Sequence, residues 1–268
     1  MRAGGVKASG IRIRTPEEIA QIRESAQIVG RCLRMIASEI GPGVSTMHLD
    51  RLAERFIRDA GGEPAFKGYR GFPASICASI NEEVVHGIPS PTRKLVEGDI
   101  VSLDVGVKLD GFYGDAAVTV PVGRISESRA RLLQVTRESL DRAISQVRVG
   151  GRLSDIGHAV QTWVEMHGFS VVREFVGHGI GEKLHEEPQI PNYGQPGRGP
   201  RLEVGMVLAI EPMVAQGRPE TKVLADGWTA VTKDGSAAAH FEHTVAVSAD
   251  GPLVLTARQG AAANAGTR

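Results

Sequence analysis

Apolar residues recur at helical spacing in four stretches of the chain. The first stretch follows Thr15-Pro16-Glu17-Glu18, a cap residue before proline and two acids, which is typical of a helix start. It should end near Gly41-Pro42-Gly43, and its apolar positions are Ile19, Ile22, Ala26, Ile28, Val29, Cys32, Leu33 and Ile36. The pattern predicts three further helices: one from Ser45-Thr46 to Gly61, one over about 126–147 and one over about 154–168.

Short runs of β-type residues lie between and after these helices. They cover residues 74–80, 99–109, 112–120, 206–210, 229–231 and 240–247. Asp110-Gly111 separates the second run from the third and is a hairpin-turn signal. Together the helices and strands predict a two-layer α+β fold.

The second and fourth predicted helices align with each other at a constant offset of 107 residues. The matched pairs are Gly43 with Gly150, Leu49 with Ile156, Leu52 with Ala159, Phe56 with Trp163, Ile57 with Val164 and Gly61 with Gly168. Each helix follows a long partner helix and precedes strands. The chain is therefore predicted to contain two related halves, each a helix pair feeding antiparallel strands, with a functional site where the halves meet.

Composition narrows the class of protein. The 31 Lys and Arg residues balance the 31 Asp and Glu residues, so no net positive field draws the chain to nucleic acid or an anionic membrane. The start of the chain lacks an apolar signal region, and no run approaches the roughly 18 apolar residues of a membrane span. With only Cys32 and Cys77, a disulfide framework is excluded. We expect a cytoplasmic protein with one domain over 11–256, flanked by flexible residues 1–10 and 257–268.

Four carboxylates stand in apolar, strand-like surroundings. Asp104 lies within the apolar run 99–109, and Asp115 lies on the strand beyond the predicted hairpin. Glu211 ends the apolar run 206–210, and Glu242 lies inside the predicted strand 240–247. A carboxylate in such a place must be paired, protonated or bound to a metal. Either Asp taken alone could instead be a structural acid bonded to backbone amides.

Two histidines occur in one glycine-rich segment. His178 is flanked by Gly177 and Gly179, which let the backbone approach closely, and His185 follows seven residues later. The chain offers no comparable number of buried-looking Lys or Arg residues to pair the four carboxylates. A pair of divalent cations supplies the missing charge most simply, and oxygen ligands with an imidazole suit Mn, Fe, Co or Zn. Two such ions activate a water between them, which makes hydrolysis the natural chemistry.

These segments, in this order, resemble the type I methionine aminopeptidases of the pita-bread fold. The resemblance rests on Asp104 and Asp115, Gly-His178-Gly-Ile-Gly, His185-Glu-Glu-Pro, Ile-Glu211-Pro-Met, Phe-Glu242-His-Thr and the segment from Phe72 to Pro89. It extends from Ile11 to about Leu255. It implies two pseudo-symmetric halves of helix pairs packed on a curved, mainly antiparallel sheet.

The resemblance also implies roles for individual residues. The implied metal ligands are Asp104, Asp115, His178, Glu211 and Glu242, with Asp115 and Glu242 as the bridging carboxylates. Glu211 is in addition the implied proton acceptor, while His86 and His185 contact the substrate around the scissile bond. The implied methionine pocket consists of Cys77, Tyr69, Phe72 and Trp228.

The expected reaction is removal of the N-terminal initiator methionine from nascent proteins with a small second residue, by attack of a metal-bridging hydroxide on the first peptide bond. The family further suggests a monomer, transient ribosome association, and a monovalent cation at Asn81 and the backbone near Glu83. Two departures concern the pocket: Phe72 stands where many relatives have Tyr, and Leu184 where many have an aromatic residue.

Two other readings stay open at this stage. A prolidase or X-Pro aminopeptidase shares the fold and the five ligands, but such enzymes usually carry a separate N-terminal domain. The second alternative is a binding module, a relative of this fold that has lost the metal-ligating residues. All five implied ligands and both histidines are, however, present here. An entirely structural role would leave four carboxylates in a core without neutralising charge.

Overall fold

The computed structural model describes residues 5–6 and 10–257. Its four α-helices, within these residues, are α1 (Pro16–Ser38), α2 (Thr46–Asp59), α3 (Glu127–Ser145) and α4 (Leu153–Met166). Each lies within three residues of its predicted bounds. None of the described helices has both the length and the apolarity needed to cross a bilayer. The predicted flexible ends, 1–10 and 257–268, fall almost wholly outside the described residues.

The start of α1 shows why the sequence signal was reliable. The Thr15 side chain accepts a hydrogen bond from the Glu18 backbone N–H at 3.2 Å, and the Glu18 carboxylate accepts one from the Thr15 N–H at 2.7 Å. This reciprocal pair satisfies two N–H groups that have no partner inside the helix. Serine side chains cap α2 and α3 with one bond each: Ser45 and Ser126 accept from the backbone N–H three residues later.

Within the described residues, every strand pair is antiparallel. The strands are β1 (Gly5–Val6), β2 (Arg12–Ile13), β3 (Glu63–Pro64), β4 (Cys77–Ile80), β5 (Glu83–Val85), β6 (Ile100–Leu109), β7 (Phe112–Pro121), β8 (Ser170–Val171), β9 (Gly177–Gly179), β10 (Glu186–Ile190), β11 (Val207–Ile210), β12 (Met213–Ala215), β13 (Thr221–Val223), β14 (Ala230–Thr232), β15 (Ala238–His240), β16 (His243–Ser248) and β17 (Gly251–Val254). The main ladders run β10-β9-β11-β16-β17 and β3-β6-β4, with β7 on β6.

One predicted strand begins later in the structure than expected, and another is interrupted. The strand predicted over 74–80 begins only at Cys77, because the N–H groups of Ser75 and Ile76 donate to the Asp50 carboxylate at 2.8 and 3.1 Å rather than to a neighbouring strand. The strand predicted over 240–247 is divided into β15 and β16. The interruption lies within the site described below.

The β6–β7 hairpin has the predicted two-residue turn. Leu109 pairs with Phe112, and Asp110 and Gly111 both have positive φ, 48° and 87°. This is the backbone geometry of a type I′ turn, which matches the twist of the flanking strands and favours the Asp-Gly pair. The turn fixes the register of all ten residue pairs in the ladder.

The internal repeat is present in the structure. Helices α2 and α4 both have 14 residues, and each position of α2 corresponds to the position 107 residues later in α4. The relation extends to β3 and β8, and to two isolated bridges, Ser45 with Lys94 and Arg152 with Arg201. The predicted two-half architecture is thus confirmed.

Each half has its own apolar core. Helices α1 and α2 pack on β4, β6 and β7 in one half, and α3 and α4 pack with β11 and β16 in the other. The halves meet between β7 and β16. There the Thr244 hydroxyl accepts from the Asp115 N–H at 3.0 Å and donates to the Asp115 carbonyl at 2.7 Å. This junction brings the candidate residues of the two halves together.

Candidate active site

All five predicted metal ligands line one cavity at the junction of the halves. The cavity has a volume of about 150 Å³. Asp104 comes from β6, Asp115 from β7 and His178 from β9; Glu211 directly follows β11, and Glu242 directly precedes β16. Both halves therefore contribute carboxylates, as the repeat had predicted.

The hairpin register places the two aspartates on one face of the sheet. Asp104 is opposite Ala117, and Asp115 is two residues from Ala117 along the same strand, so both carboxylates point to the same side. Oδ1 of each is buried without a hydrogen-bond partner among the described residues. Their prediction as converging side chains is confirmed by this geometry.

The two glutamates lie where a second ladder is interrupted. Ile210 pairs with His243 and Met213 with His240, so the register continues across the gap and puts Glu211 opposite Glu242. Pro212 has no N–H to donate to the ladder. The Glu242 N–H instead donates across the junction to the Ala117 carbonyl at 2.9 Å. Glu242 is thus not inside a strand as predicted, because its backbone bonds to the other half.

His178 is held with one ring nitrogen toward the carboxylates. Its Nδ1 lies 2.9 Å from the Gly179 carbonyl, and its Nε2 lies 3.6 Å from Oε1 of Glu211. A carbonyl at Nδ1 fixes the tautomer that leaves the Nε2 lone pair for a metal. The flanking glycines are needed because β9 is enclosed by β10 and β11: a methyl group would lie 2.4 Å from the Ala209 carbonyl at Gly177, and 2.2 Å from the Glu187 carbonyl at Gly179.

The clustered carboxylates are held in an environment that favours their protonated forms. Burial raises the pKa of Asp104 and of Glu211 to about 7. Burial and then the charge of neighbouring carboxylates raise the pKa of Asp115 and of Glu242 well above the usual range. Among the described residues, the ion pairs that reach this cluster come from histidines, not from Lys or Arg.

The donor atoms fit divalent cations. Ligand atoms of Asp115, His178 and Glu242 all lie within 4.8 Å of one another, and so do those of Glu211, His240 and Glu242. Glu242 belongs to both groups, and its Oε1 is a further buried atom without a partner among the described residues. Hard oxygen donors with imidazole nitrogen match first-row divalent metals, whose charge would restore the ionised carboxylates.

The two predicted accessory histidines also line the cavity. His86 has a positive φ of 61° and lies edge-on to the rings of Phe175 and Trp228, at centroid distances of 5.6 and 6.2 Å. Nδ1 of His185 lies 3.0 Å from the Tyr69 hydroxyl. Desolvation lowers the pKa of His86 to about 4 and that of His185 to about 3. Both rings are therefore neutral near pH 7 and can exchange hydrogen bonds with a substrate.

An apolar compartment adjoins the carboxylates. The four predicted pocket residues line the same cavity, and Phe72 lies edge-on to Trp228 at 5.1 Å. Cys77 pairs with Asp104 across β4 and β6, which connects the apolar part directly to the carboxylates. Burial, and secondarily Asp104, raises the pKa of the Cys77 thiol well above its ordinary value, so the thiol stays protonated.

Sequence reasoning missed three residues of the site: Phe66, Arg70 and His240. Phe66 and Arg70 line the cavity, and the Arg70 guanidinium lies 5.4 Å from the centre of the Tyr69 ring. His240 is fully enclosed beside Glu211. A signal for His240 existed, because in a strand it would share a face with Glu242, two residues later.

Comparison with known proteins agrees with this geometry. The model of metallopeptidase family M24 matches residues 20–249. The chain is 55% identical over 243 residues to methionine aminopeptidase 1 of Bacillus subtilis, covering 91% of this chain and 98% of the relative. The crystal structure of methionine aminopeptidase from Thermotoga maritima matches with a TM-score of 0.91 at 48% identity, over 92% of this chain and all of that one (100%).

The likeness to a more distant neighbour is evidence for the fold. Prolidase from Pyrococcus furiosus matches with a TM-score of 0.76 at 22% identity, over 92% of this chain and 66% of that one. These neighbours together confirm the predicted pita-bread fold.

Proposed function

Since the chain belongs to metallopeptidase family M24 and to its methionine aminopeptidases, we propose that it removes the initiator methionine from nascent polypeptides whose second residue is small. It is a hydrolase of the metallo-exopeptidase class. The observation that supports this substrate is the joining of an apolar compartment to a carboxylate cluster within one cavity. Removal of methionine needs the thioether side chain to lie in an apolar compartment while the peptide bond lies at the carboxylate cluster.

Five residues are proposed to hold two divalent ions: Asp104, Asp115, His178, Glu211 and Glu242. Glu242, which belongs to both donor groups, and Asp115 would be the carboxylates shared between the two ions. Co, Mn, Fe and Zn are all compatible with these donors. When bound, such a pair lowers the pKa of a water between the ions and polarises a carbonyl under attack.

Three protein side chains are proposed to act directly in the hydrolysis of the peptide bond. Glu211 accepts the proton of the attacking water as general base. His86 contacts the substrate amine and scissile region. His185, oriented by Tyr69, donates to the substrate carbonyl as negative charge develops on its oxygen. Such a donor contributes a few kcal/mol, on the order of 3, to the transition state.

The methionine side chain is proposed to lie against Tyr69, Phe72, Cys77 and Trp228. Sulfur makes favourable contacts with aromatic rings, each worth about 0.3–1.5 kcal/mol. Leu184, buried at the same cavity, replaces an aromatic contact with an aliphatic one. The compartment therefore remains apolar with either residue.

The localisation, the oligomeric state and the partners are proposed from the family and the composition. We propose a cytoplasmic monomer with one catalytic domain over 11–256, which meets its substrate during transient ribosome association. A monovalent cation at Asn81 would bind oxygen atoms of Asn81 that already accept hydrogen bonds. The Asn81 side-chain oxygen accepts from the Ile100 N–H at 3.1 Å, and its carbonyl accepts from the Ala238 N–H at 2.8 Å.

Second-residue selectivity is the test of the proposed substrate. Metal-loaded protein should release methionine from Met-Ala-Ser much faster than from Met-Leu-Ser. Equal rates on the two peptides would contradict the proposed exclusion of large second residues.

A further inference from the structure

His240 is a buried histidine whose imidazole ring has no role in the reaction described above. It is 1% exposed and ends β15. A single hydroxyl anchors its backbone: Thr119 Oγ1 accepts from the His240 N–H at 2.8 Å and donates to the His240 carbonyl at 2.8 Å. Thr119 in turn contacts the Ser102 hydroxyl at 2.8 Å. The position of this histidine is therefore fixed from the other half of the molecule.

The ring nitrogen Nε2 of His240 has no hydrogen-bond partner in the described part of the chain. A nearby acceptor is Oε2 of Glu211, at 3.6 Å. Oε1 of the same carboxylate lies 3.6 Å from Nε2 of His178. Glu211 is thus placed between two imidazoles, one facing each oxygen. Leaving an enclosed polar ring nitrogen without a partner costs about 1–3 kcal/mol, so a partner for Nε2 is expected in the working enzyme.

The position of the ring argues against a sixth metal ligand. The five predicted ligands line the cavity, whereas His240 lies behind Glu211 and is not among the residues that line it. Among the described residues, the group that faces the other Glu211 oxygen, Oε2, is the His240 imidazole. Carboxylates that bind metals are themselves held by hydrogen bonds from neighbouring groups. Such bonds often shorten when the site is complete.

We propose that His240 is a positioning residue for Glu211, donating from Nε2–H to Oε2 and so fixing the rotation of the carboxylate. Oε1 is thereby kept beside His178 and the metal ions. The proposal rests on the function proposed above, in which Glu211 both binds metal and accepts a proton. It assigns His240 a role in orientation, without contact to the substrate.

The test compares His240→Gln, which keeps an N–H donor, with His240→Leu, which removes it at similar size. We expect His240→Leu to lower kcat on Met-Ala-Ser by about 10–100-fold, with KM unchanged and two ions still bound by calorimetry. His240→Gln should retain most of the wild-type kcat. His158→Leu, which removes an imidazole of α4 outside the cavity, serves as the matched control. Melting temperatures of the metal-free variants report folding, and His240→Met replaces His240→Leu if the latter does not fold.

A second readout is independent of peptide hydrolysis. In Co(II)-loaded protein, the visible absorption bands should shift in His240→Leu and remain as in wild type in His240→Gln. Loss of one ion in both variants would show that His240 is a ligand and would overturn the proposal. Unchanged kcat and spectrum in His240→Leu, or equal damage in both variants, would also overturn it. If wild-type protein releases no methionine, the proposed function fails, while the Co(II) spectra still decide the role of His240.

Discussion

Metal binding should expel protons from the carboxylate cluster, and the number of protons can be worked out from the structure. In the metal-free protein the pKa of Asp104 and that of Glu211 are both about 7. Taken together as one interacting pair, the two groups hold most of their protons near pH 6 and few of them near pH 8. Metals require the ionised forms, so binding releases about two protons from this pair near pH 6 and almost none near pH 8.

The same numbers set the pH dependence of affinity. Because the pKa values are raised in the metal-free fold, protons compete with the metal at low pH, and affinity rises as pH rises through 7. For these two groups, the combined association constant should increase about 100-fold from near pH 6 to near pH 8. Asp115 and Glu242, whose pKa values are also raised, act in the same direction.

Isothermal titration calorimetry measures both quantities. Chelator-treated protein is titrated with Mn or Co in two buffers of different ionisation enthalpy, which gives the protons released per ion. Asp104→Asn should release fewer protons than wild type near pH 6, whereas Asp59→Asn, at an exposed position of α2, should match wild type. Heats that do not depend on the buffer near pH 6, or equal affinity near pH 6 and pH 8, would refute the reasoning.

Three further predictions concern single substitutions. Glu242→Ala removes the carboxylate shared by both donor groups and should abolish activity with loss of the metal pair, measured by metal analysis; two bound ions with near-normal turnover would contradict the assignment. Tyr69→Phe removes the hydroxyl 3.0 Å from His185 and should lower kcat about 2–10-fold; an unchanged kcat would refute it. Gly114→Ala places a methyl 2.6 Å from the α1 backbone and should destabilise the fold by about 1–3 kcal/mol in chemical denaturation, whereas Gly41→Ala, with open space around it, should be neutral; equal stabilities would contradict the packing argument.

The sequence predicted those parts of the fold that depend on local chemistry. Asp110-Gly111 specified a turn, the turn set the register, and the register placed Asp104 and Asp115 on one face. Thr15 and Glu18 specified the start of α1 through bonds over three residues. The repeat at an offset of 107 residues predicted a site between the halves.

The parts that depend on distant contacts could not be read from the sequence. The interruption at Glu242 arises from a bond to Ala117 in the other half, which the strand-like pattern over 240–247 does not reveal. His240 gained its place beside Glu211 through Thr119, a residue 121 positions away. The left-handed backbone of His86 is likewise a product of tertiary packing, because φ of 61° is uncommon for residues other than glycine.

The central claim is metal-dependent release of N-terminal methionine at the cavity between the two halves. The direct measurement is release of free methionine from Met-Gly-Met-Met by purified, chelator-treated protein, with and without added Co or Mn, beside an X-Pro peptide. The account predicts methionine release only with added metal, and no cleavage of the X-Pro peptide. Two results would contradict it: cleavage of the X-Pro peptide without cleavage of the Met peptide, or cleavage of neither peptide in the presence of metal.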